Sequence, residues 1–318
     1  MNRLLITAIV LFLMVSCKTE KAKEVDVSAV DITLSVNRFE QKFYEADETT
    51  LPIIKNEFPY LFPEQNDSIW LNKIKDKEER ELYQKSQEVF GDFENEKMQI
   101  IDLFKHVKFY HPNFETPKII TLITNLDYQN KIVYADSLLF VSLDMYLGKD
   151  SEVYHDFPVY LSQNFEKSQL VVDMARAISD RYFTADKGRQ FLDLVVGAGK
   201  RMYMIDSYLP AVSDAKKIGY SDAEYDWATA NEAQIWKYFI ENKVLYSTDS
   251  KLVDRFMAEA PFSKFYIDVD KESPGRIGVW LGWQIVKAYM NNNNVTLQQL
   301  LQTNAEEIFN KSKYKPKK

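Results

Sequence analysis

The chain contains a single cysteine, Cys17, and this limits how its 318 residues can be stabilised. With one thiol, no disulfide can form within the chain, so stability must come from a packed hydrophobic core. The composition allows such a core, because 46% of the residues are hydrophobic and 14% are aromatic. The sequence therefore predicts a globular protein rather than a disulfide-rich or disordered one.

Cys17 directly follows an N-terminal segment with the proportions of a secretory signal. After Arg3 comes an uncharged run from Leu4 to Ser16, shorter than the roughly 20 apolar residues of a membrane-spanning helix. Residues Met14 to Cys17 resemble the lipobox of bacterial lipoproteins, in which a small residue precedes a cysteine. An ordinary signal peptide with an incidental cysteine, or an uncleaved anchor, would present a similar run.

The lipobox resemblance implies that the chain is divided into a signal peptide, a lipid-anchored tether and a folded part. Residues 1–16 would be a signal peptide that is removed, and the Cys17 thiol would carry a diacylglyceryl group that anchors the protein to a membrane of the cell envelope. Two acyl chains suffice for stable anchoring without any membrane-binding surface on the folded part. Residues 17–29 are polar and lack aromatic side chains, which predicts a solvated tether. We expect residues 30–318 to form a single globular domain.

The hydrophobic periodicity favours a mainly helical fold with a small β-sheet. Glycine is scarce, at 9 residues, and long apolar segments follow helical spacing. Alternation near residues 31–36 predicts a short strand, and β-rich runs separated by turn residues within 117–148 predict a three-stranded antiparallel meander. The predicted class is α+β, mainly α with a small antiparallel sheet. The longest helices are predicted over residues 168–182, 188–208, 222–241 and 276–291.

The charge of the chain and its few histidines exclude several function classes. A net charge of −7 and a pI near 5.3 argue against general nucleic-acid affinity, and the basic tail 311–318 is expected to be solvated. The histidines His106, His111 and His155 show no metal-binding spacing, and no cysteine ligand remains in the mature chain. Phosphate-loop and nucleophile-elbow motifs are absent from the sequence. We therefore predict no metal, no cofactor and no catalytic residue.

Three segments are more specific in composition than plain packing requires. Residues 143–148 place Asp144 and Tyr146 after a buried strand. Residues 197–203 put two glycines in a helix at a cost of roughly 1 kcal/mol each, which indicates close approach of another backbone. Residues 273–283 present Arg276 at a helix start, where the helix dipole opposes a cation, so we expect it to have a carboxylate partner, either within the protein or on a ligand. Tight helix packing with an internal ion pair would explain the same three segments.

These segments also carry a family resemblance. The run LDMYLG, the pattern GK-x-x-Y-x-x-x-x-x-LP over 199–210, NE-x-x-IW over 231–236 and SPGRIGVWLGWQIV from residue 273 together resemble the gliding-motility-associated lipoprotein GldB of flavobacteria and relatives. The resemblance extends from about residue 30 to the end of the chain. It implies an envelope lipoprotein needed for gliding over surfaces, a process tied to secretion of cell-surface adhesins, and it implies no known biochemical activity.

The family is also distantly similar to predicted zinc peptidases that carry an H-E-x-x-H helix. The equivalent helix here, Leu170 to Ile178, has no histidine, and Ala198 precedes Gly199 where a glutamate ligand would stand. This similarity implies a degenerate zincin-like fold that has lost its metal. The former metal site would then become a common binding cleft, with Arg276 or Lys200 paired to Asp144 or Asp173. We expect that candidate cleft to be lined by Asp144, Tyr146, Asp173, Lys200, Tyr203, Arg276 and Trp283.

The sequence thus predicts a non-catalytic binding or scaffold protein, held at a membrane through lipidated Cys17. The resemblance implies envelope proteins of the gliding machinery as its partners. No acidic run follows Cys17, which in this bacterial group favours a periplasm-facing protein over a surface-exported one. The alternative is a hydrolase that acts on peptide or cell-wall substrates through carboxylates such as Asp144, which would require a convergent pair of carboxylates in a deep pocket.

Overall fold

The computed structural model of the protein describes residues 25–64, 66–185, 188–267 and 270–316. The predicted signal peptide 1–16 and the lipidation site Cys17 lie outside these residues. Within the described part of the predicted tether and just beyond it, residues 25–35 form neither helix nor strand. Of the segment 31–36, only Val36 is in a strand.

The described N-terminal half consists of one mixed four-stranded sheet and five α-helices, all of which lie between its first and second strands in the chain. Its elements are β1 (Val36–Arg38), α1 (Phe39–Tyr44), α2 (Leu51–Glu57), α3 (Asp67–Lys75), α4 (Lys77–Phe90), α5 (Glu94–Tyr110), β2 (Lys118–Leu122), β3 (Ile132–Ala135) and β4 (Leu138–Ser142). The strand order is β1-β2-β4-β3. β2 runs parallel to both of its neighbours, with Ile119 opposite Val36 and Leu139, and β3 closes the sheet antiparallel to β4.

The α+β class is confirmed, but the antiparallel meander predicted for residues 117–148 is wrong in its pairing. β2 and β3 are not neighbours, because β4 lies between them. After β2 the backbone turns sharply, with positive φ at Asn125 and Leu126, and the Asp144 carboxylate holds this turn by accepting the Thr124 and Leu126 amides. The chain therefore leaves the sheet after β2, and β4 takes the position that the meander assigned to β3.

The C-terminal half of the described chain is helical. Its elements are α6 (Val159–Ser162), α7 (Leu170–Tyr182), α8 (Phe191–Tyr208), α9 (Asp214–Ile218), α10 (Asp222–Ala230), α11 (Glu232–Glu241), α12 (Lys251–Phe256), α13 (Ile277–Asn292), α14 (Leu297–Gln302) and α15 (Ala305–Ser312). The predictions for α7, α8 and α13 are confirmed within three residues. The helix predicted over 222–241 is instead two helices that meet at Asn231, whose side-chain amide donates to Trp227 O and ends α10.

Two glycines let α8 and α13 cross with their backbones in contact. A Cβ atom on Gly199 would lie 2.2 Å from Gly282 O, and one on Gly282 would lie 1.9 Å from Val195 O. Both distances are far below van der Waals contact, so each position excludes any side chain. The other glycine of α8, Gly197, does not contact the α13 backbone, because a Cβ there would meet only the Phe183 ring, at 3.3 Å.

Arg38 fastens the first strand to the helical layer. Its Nε atom lies 2.6 Å from the buried Glu40 carboxylate, and its Nη1 atom donates to Gly91 O at 3.0 Å, just beyond the end of α4. The guanidinium also lies over the Phe93 ring, 5.2 Å from its centroid. One side chain therefore links β1, α1 and the α4–α5 turn.

Replacing Gly199 by alanine is expected to destabilise the protein by about 2–3 kcal/mol, because the added methyl must push α13 away from α8. The matched control Gly197→Ala, two residues earlier in the same helix, is expected to be neutral or to stabilise by up to about 1 kcal/mol through helix propensity. Urea unfolding of both variants measures this difference. Equal stability of the two variants would contradict the close backbone contact.

Candidate functional site

A buried hydrogen bond joins the end of the sheet to the first turn of α7. Tyr146 follows β4, has no solvent exposure, and donates its hydroxyl to Asp173 Oδ2 at 3.0 Å. Asp173 lies near the N-terminus of α7, where the helix dipole stabilises a negative charge. The strand end and the helix start are thus held together by a tyrosine–carboxylate contact.

Two basic side chains neutralise Asp173. Lys131 Nζ lies 2.5 Å from its Oδ2 atom, and Arg176 Nη1 lies 2.7 Å from its Oδ1 atom. Burial opposes ionisation of Asp173, but the charges of Lys131 and Arg176 outweigh it and lower the pKa of the carboxyl. Burial, together with the charge of Asp173, raises the pKa of Tyr146 well above its ordinary value. Asp173 is therefore ionised and Tyr146 neutral at pH 7, which makes them a structural pair rather than a proton-transfer pair.

Among the described residues, Arg276 has no carboxylate partner within the protein, because its guanidinium contacts a helix C-terminus instead. A carboxylate partner on a ligand stays a prediction. The Gly219 amide donates to Ala215 O and Lys216 O, which leaves the last carbonyls of α9 without backbone partners. Arg276 Nη1 donates to Ile218 O at 2.8 Å, and the neighbouring Arg176 Nη2 donates to the preceding carbonyl, Lys217 O, at 2.7 Å. The negative end of the α9 dipole thus holds two cations.

The two guanidinium groups also repel each other. Burial, and then the charge of Arg176, lowers the pKa of Arg276 from its ordinary value. An arginine stays charged despite such a shift. The pair therefore forms a fixed positive centre beside α9.

Trp283 belongs to a second charged cluster, on the other side of α9. Its Nε1 atom donates to Asp206 Oδ2 at 2.9 Å, and Asp206 Oδ1 lies 2.6 Å from Lys217 Nζ. Lys287 Nζ lies 2.7 Å from Asp214 and 3.7 Å from the centre of the Trp283 ring. Two carboxylates and two ammonium groups thus balance their charges within the protein, which a buried cluster requires.

Asp144 lies apart from both clusters. It has no solvent exposure, and its carboxylate accepts the amides of Leu126 at 2.7 Å and Thr124 at 3.0 Å. Burial raises the pKa of Asp144, because it outweighs the amide hydrogen bonds, which lower it. Asp144 holds the turn after β2 and does not reach a surface.

The seven predicted site residues occupy several separate places and do not line one cleft. Tyr146 and Asp173 are brought close to Arg276 through Arg176, whereas Trp283 and Asp144 lie elsewhere, as described above. Lys200 is fully buried in α8, and Tyr203 is half-buried, with its pKa raised to about 12 by burial and then by Asp206. These residues lie apart because each one contacts partners from loops and short helices. The helical spacing in the sequence does not reveal where those elements lie.

Sequence reasoning missed the basic residues that complete the clusters. Arg176 was detectable, because Asp173 and Arg176 stand three residues apart on an amphipathic helix, where opposite charges pair. Lys217 carried the same signal for its pair with Asp214, three residues earlier, but not for its closer contact with Asp206 on another helix. Lys131 offered no local signal, since it pairs with a carboxylate on a different element. The ligand-binding role of the seven predicted residues stays a prediction.

A cavity of about 280 Å³ opens beside the arginine pair, between α7, α8 and the start of α13. Its charged lining consists of Arg176, Arg201, Arg276 and Asp180. Apolar side chains such as Met202 complete the walls. The described lining therefore has an excess of positive charge, which suits an anionic ligand.

Neither a metal-binding group nor a membrane-spanning helix occurs among the described residues. Within them, no three His, Cys, Asp or Glu side chains are grouped closely enough to hold a metal ion. In the same part of the chain, no helix combines the length and the hydrophobicity needed to cross a bilayer.

The fold and these sites define a mainly helical α+β protein whose buried charged groups are held by ion pairs or by backbone groups, with a cationic cavity at its surface. A family model described as gliding motility protein GldB matches residues 20–316, nearly the whole chain, and the protein belongs to that family. The predicted family is thereby confirmed, whereas the distant similarity to zinc peptidases gains no support. No significant match was found among curated proteins or among solved structures.

Replacing Asp173 by asparagine is expected to destabilise the protein at neutral pH by about 3 kcal/mol, because Lys131 and Arg176 lose their buried counter-charge. The pKa of Asp173 is lowered by folding, so its contribution is complete above the unfolded value of about 4 and is lost as pH falls through the folded value. The variant should therefore lose less stability on acidification than the wild type. Denaturant unfolding across a pH series measures both effects.

The control for this experiment is Asp156→Asn, because the Asp156 side chain is 87% exposed. It should follow the wild-type pH profile closely. If Asp173→Asn also followed that profile, the ion pairs of Asp173 would contribute nothing to folding.

Proposed function

We propose that the protein is a non-catalytic, lipid-anchored binding or scaffold component of the gliding apparatus, linked to secretion of cell-surface adhesins. Membership of the gliding motility protein GldB family supports involvement in gliding motility. Family membership thus indicates the process, gliding motility. The paired charges and the cationic cavity favour a binding role in that process.

The proposal that the protein is non-catalytic rests on one observation. The candidate carboxylates are bonded to other groups of the protein. Asp173 is held between Lys131 and Arg176, and the only other carboxylate in the predicted cleft, Asp144, is bonded to backbone amides. A catalytic acid or base must come within hydrogen-bond reach of its substrate. With 0% exposure, Asp144 has no route to one.

A hydrolase is the rival, and it requires two accessible carboxylates that converge in one pocket. The cavity beside the arginine pair has three guanidinium groups and the single carboxylate of Asp180. This lining suits recognition of an anion and not carboxylate-based hydrolysis, so we favour binding.

We further propose that the signal peptide 1–16 is removed and that lipidated Cys17 holds the protein at a periplasm-facing membrane surface. Eighteen residues lie between Cys17 and the first strand residue, Val36, so the chain takes nineteen Cα–Cα steps from one to the other. Fully extended, that length of chain reaches at most about 65 Å. The folded part could then contact envelope proteins some distance from the bilayer.

Cys17→Ala is expected to abolish incorporation of a clickable fatty acid, because the substitution removes the thiol to which the lipid is attached. The matched control Ser16→Ala keeps a small residue before the cysteine and should be labelled like the wild type. In-gel fluorescence after labelling of growing cells measures both variants. Equal labelling of Cys17→Ala and wild type would rule out Cys17 as the anchor.

Deletion of the gene in its host is expected to abolish spreading on agar and to leave growth in rich liquid medium unchanged. A plasmid copy of the wild type should restore spreading, whereas the Cys17→Ala copy should not. Colony diameter and liquid growth rate are the measurements. A deletion strain that spreads normally would remove the motility role, whatever the state of the lipid anchor.

A further inference from the structure

Two adjoining cavities form a continuous groove along the outer face of α8, which we call the α8 groove. The cationic cavity described above, of about 280 Å³, adjoins a second cavity of about 180 Å³. Ala198, Arg201 and Met257 line both. The groove therefore runs without a break from the arginine pair towards the start of α8.

The cationic end of the groove has hydrogen-bond donors that the described residues leave unused. Arg276 makes one hydrogen bond there, from Nη1 to Ile218 O, although a guanidinium carries five N–H donors. The Arg201 guanidinium lies over the Phe183 ring, 4.3 Å from its centroid, and Nε lies 3.4 Å from the Asp180 carboxylate, but Arg201 makes no hydrogen bond to the described residues. Two guanidinium groups with free donors thus face the same cavity.

The other end of the groove is mainly apolar and partly open to solvent. It is lined by Phe183, by Leu194 and Val253, which are 48% and 37% exposed, by Gly197 and by the acidic Asp193. Gly197 is buried, and a Cβ there would lie 3.3 Å from the Phe183 ring, so this ring covers the glycine. A larger side chain at Gly197 would push the ring into the cavity, whereas the exposed Leu194 and Val253 offer apolar surface that a ligand group would cover.

We propose that the α8 groove binds the carboxy-terminal end of a partner polypeptide. The terminal carboxylate would contact Arg201 and Arg276, and the last apolar side chain would lie against Leu194 and Val253. This inference deepens the proposed binding role by naming its ligand, and it rests on that role.

Charge and size favour a carboxylate over a phosphate-bearing lipid. A carboxylate accepts two parallel N–H donors from a guanidinium and carries one negative charge. Asp180 lies beside Arg201 and would repel a doubly charged phosphate more strongly than a carboxylate. The apolar cavity, of about 180 Å³, has room for a side chain but not for an extended acyl chain.

The test is a titration of the full-length protein, purified in detergent with its anchor, into a fluorescein-labelled hexapeptide that ends in leucine with a free carboxylate. Fluorescence anisotropy reports binding. Amidation of the C-terminus is expected to weaken binding by about tenfold or more, because it removes the charge that the arginines recognise. Acetate and inorganic phosphate, added as competitors, distinguish carboxylate from phosphate recognition.

Variants of the two ends localise the binding. Arg201→Gln, at a side chain that is 46% exposed, should weaken binding by about fivefold or more without unfolding the protein. Gly197→Leu should block the apolar end and abolish binding. The matched control Arg181→Gln changes the net charge equally on α7, at an arginine that lies over Tyr134 away from the groove, and should bind like the wild type.

Three results would overturn the proposal. Equal affinity for the acid and the amide peptide would remove the carboxylate from recognition. Retained binding by Gly197→Leu would move the site elsewhere, and displacement by phosphate but not by acetate would assign the groove to phosphate. None of these results affects the spreading assay, so the groove and the motility role fail separately.

Discussion

The contact between the backbones of α8 and α13 at Gly199 and Gly282 sets the geometry of the C-terminal half. Because carbonyl groups occupy the places where Cβ atoms would lie, the two helices have one register in which they fit. The next residue, Trp283, then reaches Asp206 of α8. Arg276 stands six residues before Gly282, about 9 Å along the helix axis, which brings it to the cavity edge.

The short helix α9 connects the two charged clusters. Lys217 gives its ammonium to Asp206 on one side and its carbonyl to Arg176 on the other, and the adjacent Ile218 carbonyl receives Arg276. A helix of five residues has little stability of its own. These side chains therefore contribute to fixing its position, and Lys217 contacts both clusters.

Local signals in the sequence were sufficient to predict the helices α7, α8 and α13 and the tight crossing at Gly199. The spacing of apolar residues located α7, α8 and α13, the capping box at Ser221 opens α10, and the cost of a mid-helix glycine pointed to the contact at Gly199. These features depend on neighbours within about one helical turn, so they can be recognised in the sequence alone.

Features that depend on distant partners could not be predicted in the same way. Strand β4 replaces β3 beside β2 because Asp144 bonds a turn about 20 residues earlier, a contact that no periodicity reveals. Arg276 was expected to need a carboxylate, yet carbonyl groups at the end of α9 serve the same electrostatic purpose. The sequence predicted that the Arg276 charge requires a partner of negative charge or polarity. Which group serves as that partner depends on how distant parts of the chain pack together.

Arg38 has a mechanical consequence. Tension applied from the N-terminal side would first strain the packing of Ile32 and Leu34 against the core and then reach β1, a strand of only three residues that pairs with β2. Few backbone hydrogen bonds would resist such a pull, but Arg38 ends the strand and is bonded both to buried Glu40 and to Gly91 O. Force would therefore pass from the strand into α1 and the end of α4. The bonds of the Arg38 side chain would then help to set the force at which the first strand detaches.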